Sequence, residues 1–135
     1  MAQPDSIVGT WALVRGTHTA ADGTALAVPY GGPLGLGRVT FTADGRMVAV
    51  MCDGRPTLPP GMAREYGSYC GTYTFDGKRL VTKVFANSDP SRFDADQVRD
   101  VRFEGALMVL RPPPRATGAG PVGQRELWWQ KIAAV

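Results

Sequence analysis

Apolar and polar residues alternate with a period of two through most of this chain. Three stretches repeat one pattern, an alternating run, an acidic residue followed by glycine, and a second alternating run: VTFTADGRMVAV, GTYTFDGKRLVTKVF and VRDVRFEGALMVLR. Period two puts successive side chains on opposite faces of a strand. Asp-Gly and Glu-Gly supply the positive φ that tight antiparallel turns require. The pattern predicts a β-meander in which neighbours in sequence are neighbours in space.

Eight strands are predicted, near residues 7–15, 37–42, 47–52, 68–75, 80–87, 97–103, 107–111 and 125–132, each bounded by Gly, Pro, Asp or Asn. Thr24 to Val28, after Asp22-Gly23, is a candidate edge piece. No window sustains a 3.6-residue period, so helix is expected to be minor, confined to single turns at Pro60 to Tyr66 and Pro90 to Ala95. Three Gly/Pro-rich links, AVPYGGPLGLG, DGRPTLPPGMAREYG and PPPRATGAGPVG, cannot pair as central strands; loops of this kind at a barrel end often control ligand access. Eight sequential antiparallel strands suit an all-β up-and-down barrel, whose interior is filled by side chains or holds one small ligand. A two-sheet sandwich is the competing architecture.

The motifs Gly9-Thr10-Trp11, Asp44-Gly45-Arg46-Met47, Tyr69-Cys70-Gly71-Thr72-Tyr73, Asp96-Gln97-Val98-Arg99 and Glu126-Leu127-Trp128-Trp129, in that order, resemble the bacterial and fungal lipocalin-like domain family over roughly Ile7 to Ile132. The resemblance implies an eight-stranded calycin-type barrel with a small-molecule cavity. It does not imply one activity, because barrels of this kind host both carriers and enzymes. Two positions depart from the family pattern. Lys83 stands where members often carry His, and the last strand ends Trp129-Gln130-Lys131 in place of Trp-x-Arg; Lys131 can still lay its charge over an indole.

Strand parity then selects an interior. Trp11 inward carries Leu13 and Arg15 with it. A three-residue first turn with a glycine bulge puts Val39, Phe41, Met47, Ala49 and Met51 on one face, whereas a two-residue turn shifts the second half by one. The inward sets are completed by Tyr69, Gly71, Tyr73 and Phe75; by Val81, Lys83, Phe85 and Asn87; by Gln97, Arg99, Val101 and Phe103; by Met108 and Leu110; and by Leu127, Trp129 and Lys131. For the fifth strand the set Leu80, Thr82, Val84 and Ala86 is nearly as apolar and stays open. The expected cavity is apolar and aromatic, with cations at Arg15, Lys83 and Arg99. A buried charge needs a partner, and Tyr69, Tyr73, Asn87, Glu65, Asp96 and Glu126 are candidates. Solvent-facing Lys83 and Arg99 remain the alternative.

With 135 residues, one domain spanning 1–135 and one cavity are expected. The net charge of +3 comes from 15 dispersed basic residues, which gives no clustered nucleic-acid surface. No apolar run approaches the ~20 residues of a spanning helix, and MAQPDSIVGTW shows no signal-peptide pattern, so a cytoplasmic protein without membrane partner is expected. Cys52 and Cys70 are then read as two reduced thiols. A single histidine, His18, offers no metal cluster or haem ligand set, and the glycines at 31, 32, 35 and 37 form no phosphate loop. Nothing local favours a triad of His18 with Ser68 or Ser88. No cofactor and no metal are expected.

Two functions follow. In the first, the barrel binds a small hydrophobic molecule carrying a carboxylate, enolate or phenolate. In the second, it is a cofactor-free isomerase, cyclase or lyase (dehydratase or decarboxylase) for an aromatic or polyketide-like substrate, with Lys83, Arg99, Tyr69 and Tyr73 as acid–base machinery. Trp128, outward when Trp129 is inward, is a candidate anchor for a homodimer.

Overall fold

The computed structural model describes residues 6–116 and 120–134. Nine strands form one antiparallel sheet: β1 Gly9–Ala20, β2 Gly35–Phe41, β3 Arg46–Asp53, β4 Tyr66–Phe75, β5 Arg79–Asn87, β6 Asp96–Glu104, β7 Leu107–Arg111, β8 Arg115–Ala116 and β9 Val122–Ala133. They run β1 to β7 in sequence order, then β9, with β8 on β9, and β1–β9 pairing closes the ring. Closure rules out the sandwich. The short β8 exists because Pro112, Pro113 and Pro114 lack backbone N–H groups and interrupt the wall. Gln124 Nε2 donates to the Pro112 carbonyl at 2.7 Å, which ties this break to β9.

The first hairpin pairs Phe41 with Met47, with Gly45 at φ 90 in its turn. Val39, Phe41, Met47, Ala49 and Met51 are all buried, the outcome expected of the longer turn. Trp11, Val101, Met108, Leu110 and Trp129 join them in one core. Phe41 packs edge-on against Tyr73 at 5.1 Å, and Trp11 lies 6.5 Å from Phe103. These rings plug one end of the barrel, and full burial of Phe41 alone contributes about 1.5–3 kcal/mol. Lys131 Nζ sits 5.1 Å from the Trp11 ring centroid and covers the plug from outside.

Two bulges overturn part of the expected interior. Pairing of β4 with β5 shifts between Cys70 and Gly71, so that Gly71 faces Val84 while Cys70 faces Ala86. Phe85 is the extra residue. Before it, Leu80, Thr82 and Val84 point inward and are buried; after it, parity flips and Asn87 turns in. Lys83 and Phe85 therefore stand outside the barrel, Phe85 with 79% of its surface exposed, contrary to the set preferred from sequence. A second irregularity lies between Leu13 and Arg15 in the β1–β9 pairing. Trp11 and Leu13 stay inside, whereas Arg15 is exposed, its guanidinium carbon 4.0 Å from the centroid of the outward Trp128 ring.

Pro60 to Tyr66 is not helical, because Pro59, Pro60 and Gly61 at φ 80 make a turn there. Arg64 Nη1 instead donates to the carbonyls of Asp53 and Arg55, both at 2.7 Å. A 3₁₀ turn does form at Pro90–Arg92, capped by Asp89. A second 3₁₀ segment, Pro29–Leu34, forms where only a loop was expected. Thr24 to Val28 contributes a single bridge, Thr19 to Ala25. Cys52 and Cys70 are unbridged. Val48 is the residue opposite Cys70, so Cys52 lies four residues further along β3, about 13 Å at ~3.3 Å per residue and beyond disulfide reach. No described helix is long and apolar enough to cross a membrane.

Candidate functional site

Opposite the aromatic plug the barrel opens into a cavity of about 410 Å³, within the ~300–1,000 Å³ typical of small-molecule sites. Its apolar floor is Val39, Ala49, Met51, Leu110, Leu127 and Trp129, and polar groups stand above it. β6 supplies Arg99, the neighbour of Leu80 across the β5–β6 pair. The Arg99 guanidinium donates to the Val98 carbonyl and to Gln97 Oε1, each at 2.9 Å. Among the described residues it has no carboxylate partner. The other inner cations are paired: Arg125 Nη1 lies 3.1 Å from Glu65 Oε2, and at the mouth Arg92 meets Asp89 at 3.5 Å. Arg115 stands exposed on the rim.

The Pro29–Leu34 segment places Tyr30 in the cavity wall. Tyr30 has φ 55 and ψ 36, and Gly31 and Gly32 also have positive φ. Left-handed backbone is unusual for a bulky residue and persists only when its surroundings hold it. Here the Tyr30 N–H donates to Glu65 Oε1 at 2.7 Å. At Gly31 a side chain would run into the Asp53 carboxylate, so glycine is required there. Asp53 is buried and accepts from Arg55, whose Nη2 lies 2.6 Å from Oδ2; these bonds hold its carboxyl below the usual range. Burial, and next the nearby Glu65 carboxylate, pushes the Tyr30 phenol up to about 12. Tyr30 therefore keeps its proton throughout the neutral range.

Of the residues expected at a site, Tyr69, Arg99, Leu127 and Trp129 line this cavity. Trp11, Phe41, Met47, Val101, Phe103 and Met108 belong to the core and plug instead. Leu13 packs on that core. Tyr73 lies toward the plugged end, where its hydroxyl donates to the Thr42 carbonyl at 2.7 Å. The structure thus brings Arg99 and Tyr69 together and separates both from Lys83 and Tyr73. Sequence reasoning missed Tyr30 and Arg125. Arg125 was within reach, being two residues before Leu127 on the same strand face; Tyr30 sits in an irregular segment that no periodicity marks.

The outward Trp128 ring is covered by its own chain, between Arg15 and Arg102, the latter 5.3 Å from the ring centroid. Glu126 and Glu104 bind the Arg102 guanidinium, Glu104 at 2.9 Å. His18, buried under the first loop, donates from Nδ1 to the Ala27 carbonyl at 2.7 Å. Among the described residues no three His, Cys, Asp or Glu side chains cluster as metal ligands.

A closed antiparallel barrel with one plugged end and one open, apolar-floored cavity is the architecture of a lipocalin-like fold. The family model of the lipocalin-like domain matches residues 8–132, and the chain belongs to that family. Such a barrel suits the binding of a small hydrophobic ligand. No curated protein and no solved structure matched the chain.

Proposed function

We propose that this protein binds a small amphipathic molecule in the open end of its barrel, the apolar body against Leu110, Leu127, Trp129 and Met51 and an anionic group on Arg99. One observation carries this reading: Arg99 projects into the cavity above an apolar floor, and no carboxylate among the described residues neutralises it. A half-buried guanidinium without a counter-ion is complemented by an anionic ligand, which supplies the pair. The acid–base alternative is weakened, since Lys83, its intended base, stands outside the barrel.

The test is a panel of hydrophobic carboxylates and phenols followed by tryptophan fluorescence and thermal shift, with Arg99→Met and Lys83→Met compared and each compound recovered by mass spectrometry. Saturable binding that Arg99→Met weakens and Lys83→Met leaves unchanged, with the compound intact, is the expected result. Binding indifferent to Arg99 would overturn the anchor, and conversion of a compound would establish an enzyme.

A further inference from the structure

We infer that the cavity is built for a monocarboxylate and that Tyr30 is the second headgroup donor, the residue that determines this specificity. The inference rests on the reading of the cavity as a ligand site and goes beyond it in naming the head group and its second contact. Charge comes first. Glu65 and Asp89 neutralise Arg125 and Arg92, so within the cavity interior Arg99 is the one guanidinium left without a carboxylate among the described residues. Arg115, the remaining lining guanidinium, stands in solvent on the rim, where its charge is screened, so the one interior charge matches a monoanion. A phosphate dianion would be carried into a partly desolvated site with half its charge unmatched.

Hydrogen bonding comes second. Two of the five N–H donors of the Arg99 guanidinium are used on Val98 and Gln97. The remaining ones, on a planar fork, suit the two oxygens of a carboxylate. The Tyr30 hydroxyl makes no hydrogen bond to any described residue, and it lies in the cavity wall with Arg99. The free N–H groups of Arg99 and the Tyr30 hydroxyl are complemented by a ligand group that presents acceptors.

The backbone supplies an independent observation. A tyrosine in left-handed conformation, clamped through its own N–H by Glu65, marks a side chain whose direction is imposed. Its hydroxyl is aimed past Gly67 on β4, where a Cβ would stand 2.9 Å from the oxygen. Glycine at 67 makes room for that hydroxyl. Because the phenol keeps its proton, it serves as a neutral donor that leaves the charge match with Arg99 intact.

The experiment is titration calorimetry on the full chain with four probes that share one ring system: naphthoate, naphthalenesulfonate, naphthylphosphonate and naphthamide. Naphthoate is expected to bind most tightly. Tyr30→Phe, which keeps the ring and removes the hydroxyl, should weaken naphthoate about tenfold and naphthamide much less, as for loss of one hydrogen bond to a charged group. Gly67→Ala, which displaces the hydroxyl and leaves it in place chemically, should act in the same direction. Circular dichroism and melting of each variant establish that it is folded. Naphthoate binding that depends on Arg99 and ignores Tyr30→Phe would overturn the role of Tyr30 while leaving the ligand site standing. Tighter binding of the sulfonate, the phosphonate or the amide would overturn the monocarboxylate, and no saturable binding of any probe would overturn the cavity reading beneath both.

Discussion

Gly71→Ala should destabilise this protein strongly, although general rules point the other way. Gly71 lies in β4 and is absent from the positive-φ glycines. In such backbone, replacing glycine by alanine ordinarily stabilises by ~0.4–1 kcal/mol through the unfolded chain. Here, however, Gly71 packs against the β5 bulge. A Cβ would overlap the Lys83 carbonyl oxygen, 2.9 Å from the Lys83 carbonyl carbon and 3.1 Å from the Val84 Cα. All three atoms are backbone, so no side chain can swing aside; β5 must move or the bulge must open. Overpacking costs about 1–3 kcal/mol, and rigid neighbours place this case at the upper end. For a chain of this size that is a fall of roughly 10 °C in Tm. Urea denaturation and calorimetry of the two proteins measure it. An unchanged or raised Tm would refute the bulge, and with it the claim that Leu80, Thr82, Val84 and Asn87 share the interior.

Other expectations follow from single side chains. Lys83→Met, at an exposed site, should change stability by no more than about 0.5 kcal/mol and leave ligand binding intact, as read by melting and titration. The raised phenol of Tyr30 gives a signed pH dependence. Above pH ~10 the unfolded chain releases this proton while the folded one keeps it to about 12, so stability falls as pH rises through that window. The loss amounts to about 2–3 kcal/mol; Tyr30→Phe should lose this contribution and keep only that of Tyr73, whose phenol burial also raises, when the two proteins are unfolded by urea at pH 9 and pH 12. Mass spectrometry without reductant should show the Cys52 and Cys70 thiols both alkylated and no internal disulfide; a loss of two hydrogens would contradict the β3–β4 register.

What was legible in the sequence was what period two and turn chemistry encode. The hairpins around Asp44-Gly45 and Glu104-Gly105 and the burial of Phe41, Met47 and Trp129 follow from alternation plus glycine placement, whereas a closed ring and an inward Arg99 were each one of two readings that alternation left open, against a sandwich and a solvent-facing guanidinium. The errors at Arg15, Lys83 and Phe85 share one cause. A β-bulge adds one residue and reverses parity beyond it, and Phe85 and Val14 carry no side-chain signature that announces one. Tyr30 was hidden for a different reason. Its direction is fixed by long-range contacts, Glu65 on its N–H and Gly67 beneath its hydroxyl, from segments over thirty residues away. Arg125 shows the opposite case, since extending the Leu127–Trp129 parity by one step finds it.

The most direct test of the account is a proton–nitrogen NMR spectrum that resolves the indole N–H signals of Trp11, Trp128 and Trp129 during titration with naphthoate. Trp129 lines the cavity, Trp11 belongs to the plug with its indole N–H donating to the Ile7 carbonyl, and Trp128 faces outward between two arginines. The account predicts a saturable shift of the Trp129 signal, lost in Arg99→Met, with Trp128 and Trp11 nearly still. Movement of Trp128 with a static Trp129 would place the ligand outside the barrel and contradict it.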